Sequence, residues 1–196
     1  MNLKIIISCF LFLSIVFVSC DEDDDVYSPR PRGYCRIAFP EKKYEPLKTS
    51  CPYSFELPVY SNAIEYTKKD AQPCWYNIEF PQFKATIHLS YKSVNKNVAN
   101  FIDTSHYFAK KHQARATGIE ETIIVREKAK VFGLLFDIDG NAASPLQFYL
   151  TDSTRHFLRG SLYFSSKPNI DSIRIVVDFI KKDILHLINT TEWKKD

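Results

Sequence analysis

Apolar and polar residues alternate along three stretches of the chain, residues 51–58, 74–80 and 85–91. A period of two is typical of half-buried β-strands. Two prolines within 51–58 favour an edge strand. Pro81-Gln82-Phe83 separates the second stretch from the third, so residues 74–91 are predicted to form a hairpin.

The period changes after this hairpin. Apolar residues recur every three or four positions between about 95 and 114, which predicts an amphipathic helix. A second stripe from Ile173 to Ile188 predicts a long C-terminal helix, and the polar residues before it, 168–172, can cap it. Further strands are predicted between the helices, at 119–125, 131–138, 146–150 and 157–164.

This order of elements indicates an α+β fold. Short connections between successive strands predict antiparallel neighbours, and an antiparallel sheet must cover its apolar face with the helices. We expect one globular α+β domain over residues 51–196, with two long amphipathic helices packed on the sheet. The arrangement is similar to the Mog1/PsbP-like sandwich.

The first 19 residues have the pattern of a signal peptide. Lys4 precedes an apolar run that serine and cysteine interrupt, and the run is too short for a permanent membrane span. Val18-Ser19-Cys20 resembles the lipobox of bacterial lipoproteins, although Phe17 stands where leucine is usual. We therefore expect cleavage before Cys20 and acylation, such as palmitate, on its thiol; the alternative is ordinary secretion without a lipid.

Residues 20–50 are predicted to be an anchor and linker. Five consecutive acids stay solvated because like charges repel, and they resemble the acidic export signal of Bacteroidetes lipoproteins; they are Asp21, Glu22, Asp23, Asp24 and Asp25. The full chain nevertheless carries a net charge of +3, so the remainder is basic. A basic domain suits a membrane, a glycan or an acidic partner equally well. No nucleic-acid motif is present, and nucleic acid is not expected as a partner.

Three cysteines remain in the domain and its linker, Cys35, Cys51 and Cys74. Exported domains form disulfides, and an odd number leaves one thiol over. Cys51 and Cys74 are the expected pair because both lie beside predicted strands. Their spacing does not match a zinc site, and neither a metal nor a cofactor is expected.

Catalytic motifs are scarce. There is no glycine-rich phosphate loop and no Gly-x-Ser-x-Gly elbow. Asp103 and His106 lie one helical turn apart with Ser105 beside them, but an Asp–His pair on a polar helix face is common. The densest polar segment is 151–160. We expect it to be a capped turn, or else a contact surface for a partner, formed by Asp152, Arg155, His156 and Arg159.

Arg155 and Arg159 are expected on one strand face, where guanidinium groups bind anions. The same segment also permits a weaker hydrolase hypothesis, in which Asp152, Ser153 and His156 converge. Neighbours along a strand seldom meet at one point, so we favour the contact surface.

Several stretches of the chain resemble the gliding-motility lipoprotein GldD family of Bacteroidetes. They are 29–34, 39–44, 74–84, 140–144 and 148–160. The resemblance extends from the signal peptide to the terminal helix and includes no catalytic motif. Cys35 departs from the aromatic residue expected after Gly33-Tyr34, which supports an unpaired thiol there.

The resemblance implies a membrane-anchored, non-enzymatic accessory component of the cell envelope that is required for gliding motility and linked to type IX protein secretion. Its partners would be other gliding or type IX secretion proteins, and the lipid would hold it at the outer rather than the inner membrane. The alternative is an envelope hydrolase that acts on wall glycan or peptide.

Overall fold

The computed structural model describes residues 37–165 and 170–194. The signal peptide, Cys20, the acidic run 21–25, Cys35 and residues 168–169 of the predicted capping segment lie outside the described residues. A folded unit begins at Ile37, so residues before the expected boundary at 51 also contribute to it. Tyr44–Pro46, for example, pairs with a strand of the domain.

Thirteen helices and strands follow one another in the described part of the chain. In order they are β1 (Tyr44–Pro46), β2 (Tyr53–Ser54), β3 (Glu56–Pro58), β4 (Asn62–Glu65), β5 (Tyr76–Phe80), β6 (Ala85–Ser93), α1 (Val98–Lys110), β7 (Ala116–Arg126), β8 (Val131–Gly140), β9 (Leu146–Thr151), β10 (His156–Phe164), α2 (Ile170–Thr190) and β11 (Glu192–Trp193).

Seven of the strands form one antiparallel sheet in the order β4-β5-β6-β10-β9-β8-β7. The predicted hairpin 74–91 is present as β5 and β6, joined by a short 3-10 turn at Pro81–Phe83. The other predicted strands are present as β7 to β10. Two small two-stranded sheets, β1-β3 and β11-β2, lie beside the main sheet.

The two faces of the sheet bury separate apolar clusters, because successive side chains of a strand point to opposite faces. Leu135 and Leu158 belong to the cluster that includes Ile180 and Ile184 of α2. Their neighbours Phe136 and Phe157 belong to the cluster that includes Ala109 of α1. The helices therefore cover opposite faces, and the α+β prediction with two packed helices is confirmed.

A buried carboxylate joins the segment before β1 to α2. Asp183 accepts hydrogen bonds from Lys42 Nζ at 2.7 Å, from the Tyr44 hydroxyl at 2.9 Å and from the Tyr60 hydroxyl at 2.7 Å. Only 2% of Asp183 is exposed. Burial lowers the pKa of Lys42, although the bond to Asp183 opposes that shift. Four polar groups from distant parts of the chain therefore satisfy one another inside the domain.

We predict that Asp183→Asn lowers the free energy of unfolding by about 2–3 kcal/mol, since it leaves the Lys42 ammonium partly buried without its counter-ion. Asp139→Asn is the matched control, because its pair with Arg174 is solvent-exposed and such pairs contribute at most about 1 kcal/mol. Urea unfolding of both variants measures the difference. Equal losses would contradict a special role for the buried carboxylate.

Gly160 allows close packing in the centre of the sheet. A methyl group added at Gly160 would lie 2.3 Å from Cε1 of Phe148, which is almost fully buried on the neighbouring strand. We predict that Gly160→Ala costs about 1–3 kcal/mol of stability, as overpacking does. Gly118→Ala is the control, because nothing lies within 4 Å of its added methyl group. A thermal unfolding midpoint that falls equally in both variants would refute this packing argument.

Candidate functional site

The polar segment 151–160 forms the turn between β9 and β10. The Asp152 carboxylate accepts hydrogen bonds from the backbone N–H groups of Thr154, Arg155 and His156, at 2.8 to 3.0 Å. Burial raises the pKa of Asp152, but these N–H donors outweigh burial and hold that pKa below its usual value. Asp152 therefore caps the turn, as one of the sequence hypotheses expected.

His156 points away from solvent. Its Nδ1 lies 2.8 Å from the Tyr91 hydroxyl, and its ring stacks on Trp193 with centroids 5.1 Å apart. Only 3% of the residue is exposed. Because Tyr91 engages His156 and backbone amides engage Asp152, neither group is directed at Ser153 as the hydrolase hypothesis requires.

The two arginines of the segment are separated, which differs from the expectation that they share a strand face. Arg155 lies in the turn, with 55% of its side chain exposed. Arg159 lies within β10, facing α1, and donates to Gln147 Oε1 at 2.6 Å. The expectation failed because β10 begins at His156 and the alternation of strand faces does not extend back to Arg155.

The Asp103–His106 pair is not an assembled catalytic group either. His106 Nδ1 lies 3.8 Å from the carboxylate of Glu121, and its ring meets Phe136 edge-on. The hydroxyl of Ser105 is buried and donates to the Phe101 carbonyl oxygen at 2.9 Å. His112, near the end of α1, is half-buried, and its pKa is lowered first by burial and then by the charge of Arg159.

Cys51 and Cys74, the pair expected from the sequence, are joined by a disulfide. Beside it, the Tyr53 hydroxyl donates to the Cys74 carbonyl oxygen at 2.8 Å. The bond connects the start of the small strand β2 to the start of β5 across 23 residues. It therefore fixes the long connection that includes β3 and β4 to the main sheet.

A pocket of about 460 Å³ opens beside α1 on the face of β5, β6 and β10. Its walls are aromatic, and Lys68, Lys92 and Arg159 line it. Among the residues that line this pocket, the sequence analysis proposed a binding role only for Arg159. The one signal was that Lys92 lies on the polar side of the β6 alternation. Among residues 37–165 and 170–194, no group of three His, Cys, Asp or Glu side chains is arranged so that it could hold a metal ion.

None of the helices that the structure describes is both long enough and apolar enough to cross a bilayer. The solved structures similar to this chain include the solution structure of cyanobacterial PsbP (CyanoP) from Synechocystis sp. PCC 6803. That likeness has 12% sequence identity and a TM-score of 0.42, and covers 78% of this chain and 97% of the other. No match is found among curated proteins.

The family described as "Gliding motility lipoprotein GldD" matches residues 24–193, which include every strand and helix of the folded unit. The match confirms the resemblance drawn from the sequence, and it supports an envelope lipoprotein associated with the motility machinery. The chain belongs to the gliding motility lipoprotein GldD family.

Proposed function

We propose that this protein is a non-enzymatic accessory component of the gliding machinery, linked to type IX protein secretion, that acts by binding other envelope proteins. The observation that carries this proposal is the family match over residues 24–193. Lipid on Cys20, with acyl chains such as palmitate, would hold the domain at the membrane, since several acyl chains together give a lasting anchor.

We place the anchor at the outer membrane, with residues 21–25 as the sorting signal. The support is the acidic composition of this run directly after Cys20. The linker that follows contains Pro29 and Pro31, and proline-rich chains are extended spacers. Such a spacer would allow the domain to reach partners some distance from the lipid surface.

One edge of the main sheet offers a surface for such a partner. β7 is 11 residues long and, among the described residues, pairs only with β8, so within that part of the chain its outer edge carries unpaired backbone donors and acceptors. Ile123 is 74% exposed and Val125 is 59% exposed. Long apolar edges readily take up another strand. We propose that an extended segment of a gliding or type IX secretion protein pairs with β7.

The polar cluster predicted from the sequence remains a second candidate contact. Arg155 is its exposed member, whereas Asp152 and His156 hold the turn and Arg159 lines the pocket. We propose that Asp152 and His156 contribute to partner binding by shaping this turn, and that the arginines meet the partner. The hydrolase alternative has no comparable support from the contacts described above.

We predict that Ile123→Asp reduces capture of gliding or type IX secretion proteins at least about tenfold in crosslinking pull-downs from intact cells. A charge at the centre of a desolvated apolar contact costs more than about 1.4 kcal/mol. Ile175→Asp is the matched control, because Ile175 is also exposed but lies on α2. Cys20→Ala tests the anchor in the same assay, and we expect it to abolish capture.

Gliding of cells that carry each variant provides the second measurement. We expect Ile123→Asp and Cys20→Ala cells to stop gliding, and Ile175→Asp cells to glide normally. Specific capture of the same proteins by Ile123→Asp would refute the β7 contact. Hydrolysis of wall glycan or peptide by the purified protein, without a partner, would overturn the non-enzymatic proposal.

A further inference from the structure

The pocket beside α1 has the dimensions of a ligand site. Its volume of about 460 Å³ lies within the range of small-molecule pockets, roughly 300–1,000 Å³. It forms where α1 leaves the outer face of β5 and β6 uncovered, so Asn77, His88 and Ser90 form its floor.

Aromatic rings form the walls of the pocket. They belong to Trp75, to Phe101 and Phe108 of α1, and to Phe157 of β10. The Trp75 indole N–H donates to the Tyr91 carbonyl oxygen at 2.8 Å, which fixes the orientation of the ring. Rings held in this way offer flat apolar surfaces on which a planar group can stack.

The charges around the pocket have one sign. Lys68, Lys92 and Arg159 line it, and no carboxylate does. Lys92 Nζ lies 5.6 Å from the Trp75 ring centroid and 5.8 Å from that of Phe101, so its charge lies close to two of the aromatic rings that line the pocket. Two acids outside the lining interact with its residues: Asp70 accepts a hydrogen bond from the Tyr66 hydroxyl, and the charge of Glu79 opposes the lowering of the His88 pKa that burial causes.

Arg159 is the unusual member of this set. Its guanidinium lies 4.8 Å from the Phe108 ring centroid, and its one hydrogen-bond acceptor in the described part of the chain is Gln147 Oε1. Burial lowers its pKa, and no carboxylate pairs with it among the described residues. A desolvated cation without a counter-ion is costly, and an incoming anion would offset that cost.

Two buried polar groups near Arg159 also have no hydrogen-bond partner among the described residues. Gln147 is only 1% exposed, yet its Nε2 has no hydrogen-bond partner in the described part of the chain. The hydroxyl of Ser161, which is opposite Gln147 in the sheet, also has none there. Natural domains contain few such groups. The oxygen of the Gln147 amide accepts from the Arg159 guanidinium, whereas its nitrogen is left without an acceptor. This arrangement favours a role for Gln147 in positioning Arg159 over a role in protein stability alone.

We propose that this pocket binds an organic acid, in which a carboxylate is joined to a planar apolar ring. The carboxylate meets Arg159 and Lys92, and the ring stacks between Trp75 and the phenylalanines of α1. The ligand is a free molecule. An acidic residue next to an aromatic side chain in a partner protein has the same chemistry, and the experiment below separates the two sources.

The probe is 2-naphthoate, compared with its neutral isostere 2-naphthamide, by isothermal titration calorimetry on the mature chain carrying Cys20→Ala, which needs no detergent. We expect 2-naphthoate to bind with a Kd near or below about 1 mM, as a ligand of this size permits. We expect the amide to bind at least about tenfold more weakly, because it lacks the charge.

Three variants locate the binding. Arg159→Gln should weaken binding of 2-naphthoate at least about tenfold and Lys92→Gln about threefold. Both residues are half-buried, but burial desolvates the guanidinium of Arg159, which strengthens its attraction for an anion. Arg174→Gln is the matched control, because Arg174 is an exposed arginine on α2, outside the pocket, and the variant should leave the Kd unchanged. Lys92→Gln keeps the test valid if Arg159→Gln does not fold.

The peptide acetyl-Gly-Asp-Phe-Gly-amide tests the other source. Binding of 2-naphthoate but not of this peptide supports the free organic acid. Binding of the peptide alone would overturn that assignment in favour of a protein segment. Equal binding of naphthoate and naphthamide, or an equal effect of Arg174→Gln and Arg159→Gln, would overturn the proposed anion site.

Discussion

The main sheet has two apolar faces, and two helices of unequal length must cover them. The 21 residues of α2 span about 31 Å and bury one face, whereas the 13 residues of α1 span only about 20 Å. α1 packs over β8, β9 and β10 through Phe136, Tyr149 and Phe157. The outer face of β5 and β6 and the far end of β7 therefore stay uncovered, and the pocket and the exposed Ile123 lie in these two places.

The other face is closed and carries the connection to the anchor. The chain enters the folded unit at Ile37, and Phe39 stacks on Phe179 of α2 with centroids 4.4 Å apart. Lys42 then reaches Asp183 on the same helix. A pull on the N-terminal tether would therefore act first on the contacts with α2, through groups that are costly to expose.

The periodicity of apolar residues predicted the elements that bury one regular face against a neighbouring layer. The alternation in 85–91 and the stripe from Ile173 to Ile188 are present as β6 and α2. It missed β1, β4 and β11, because two to four mostly exposed residues contain no pattern. The pocket could not be predicted, since β6 pairs with β10 about 65 residues later and only that pairing brings Lys92 near Arg159. For the same reason the sequence analysis proposed Arg159 as an anion-binding residue but grouped it with Arg155, whereas the structure places it with Lys92.

The two uncovered regions are far enough apart to act independently. β6 and β7 are four inter-strand spacings apart in the sheet, which is about 19 Å at the usual strand spacing. A strand added to the edge of β7 extends the sheet outward and does not approach Trp75 or Arg159. An occupant of the pocket, in turn, contacts α1 at Phe101 and Phe108 and leaves the backbone groups of β7 unpaired. If both proposals hold, the domain would bind a protein partner and a small ligand at once, at sites that do not overlap.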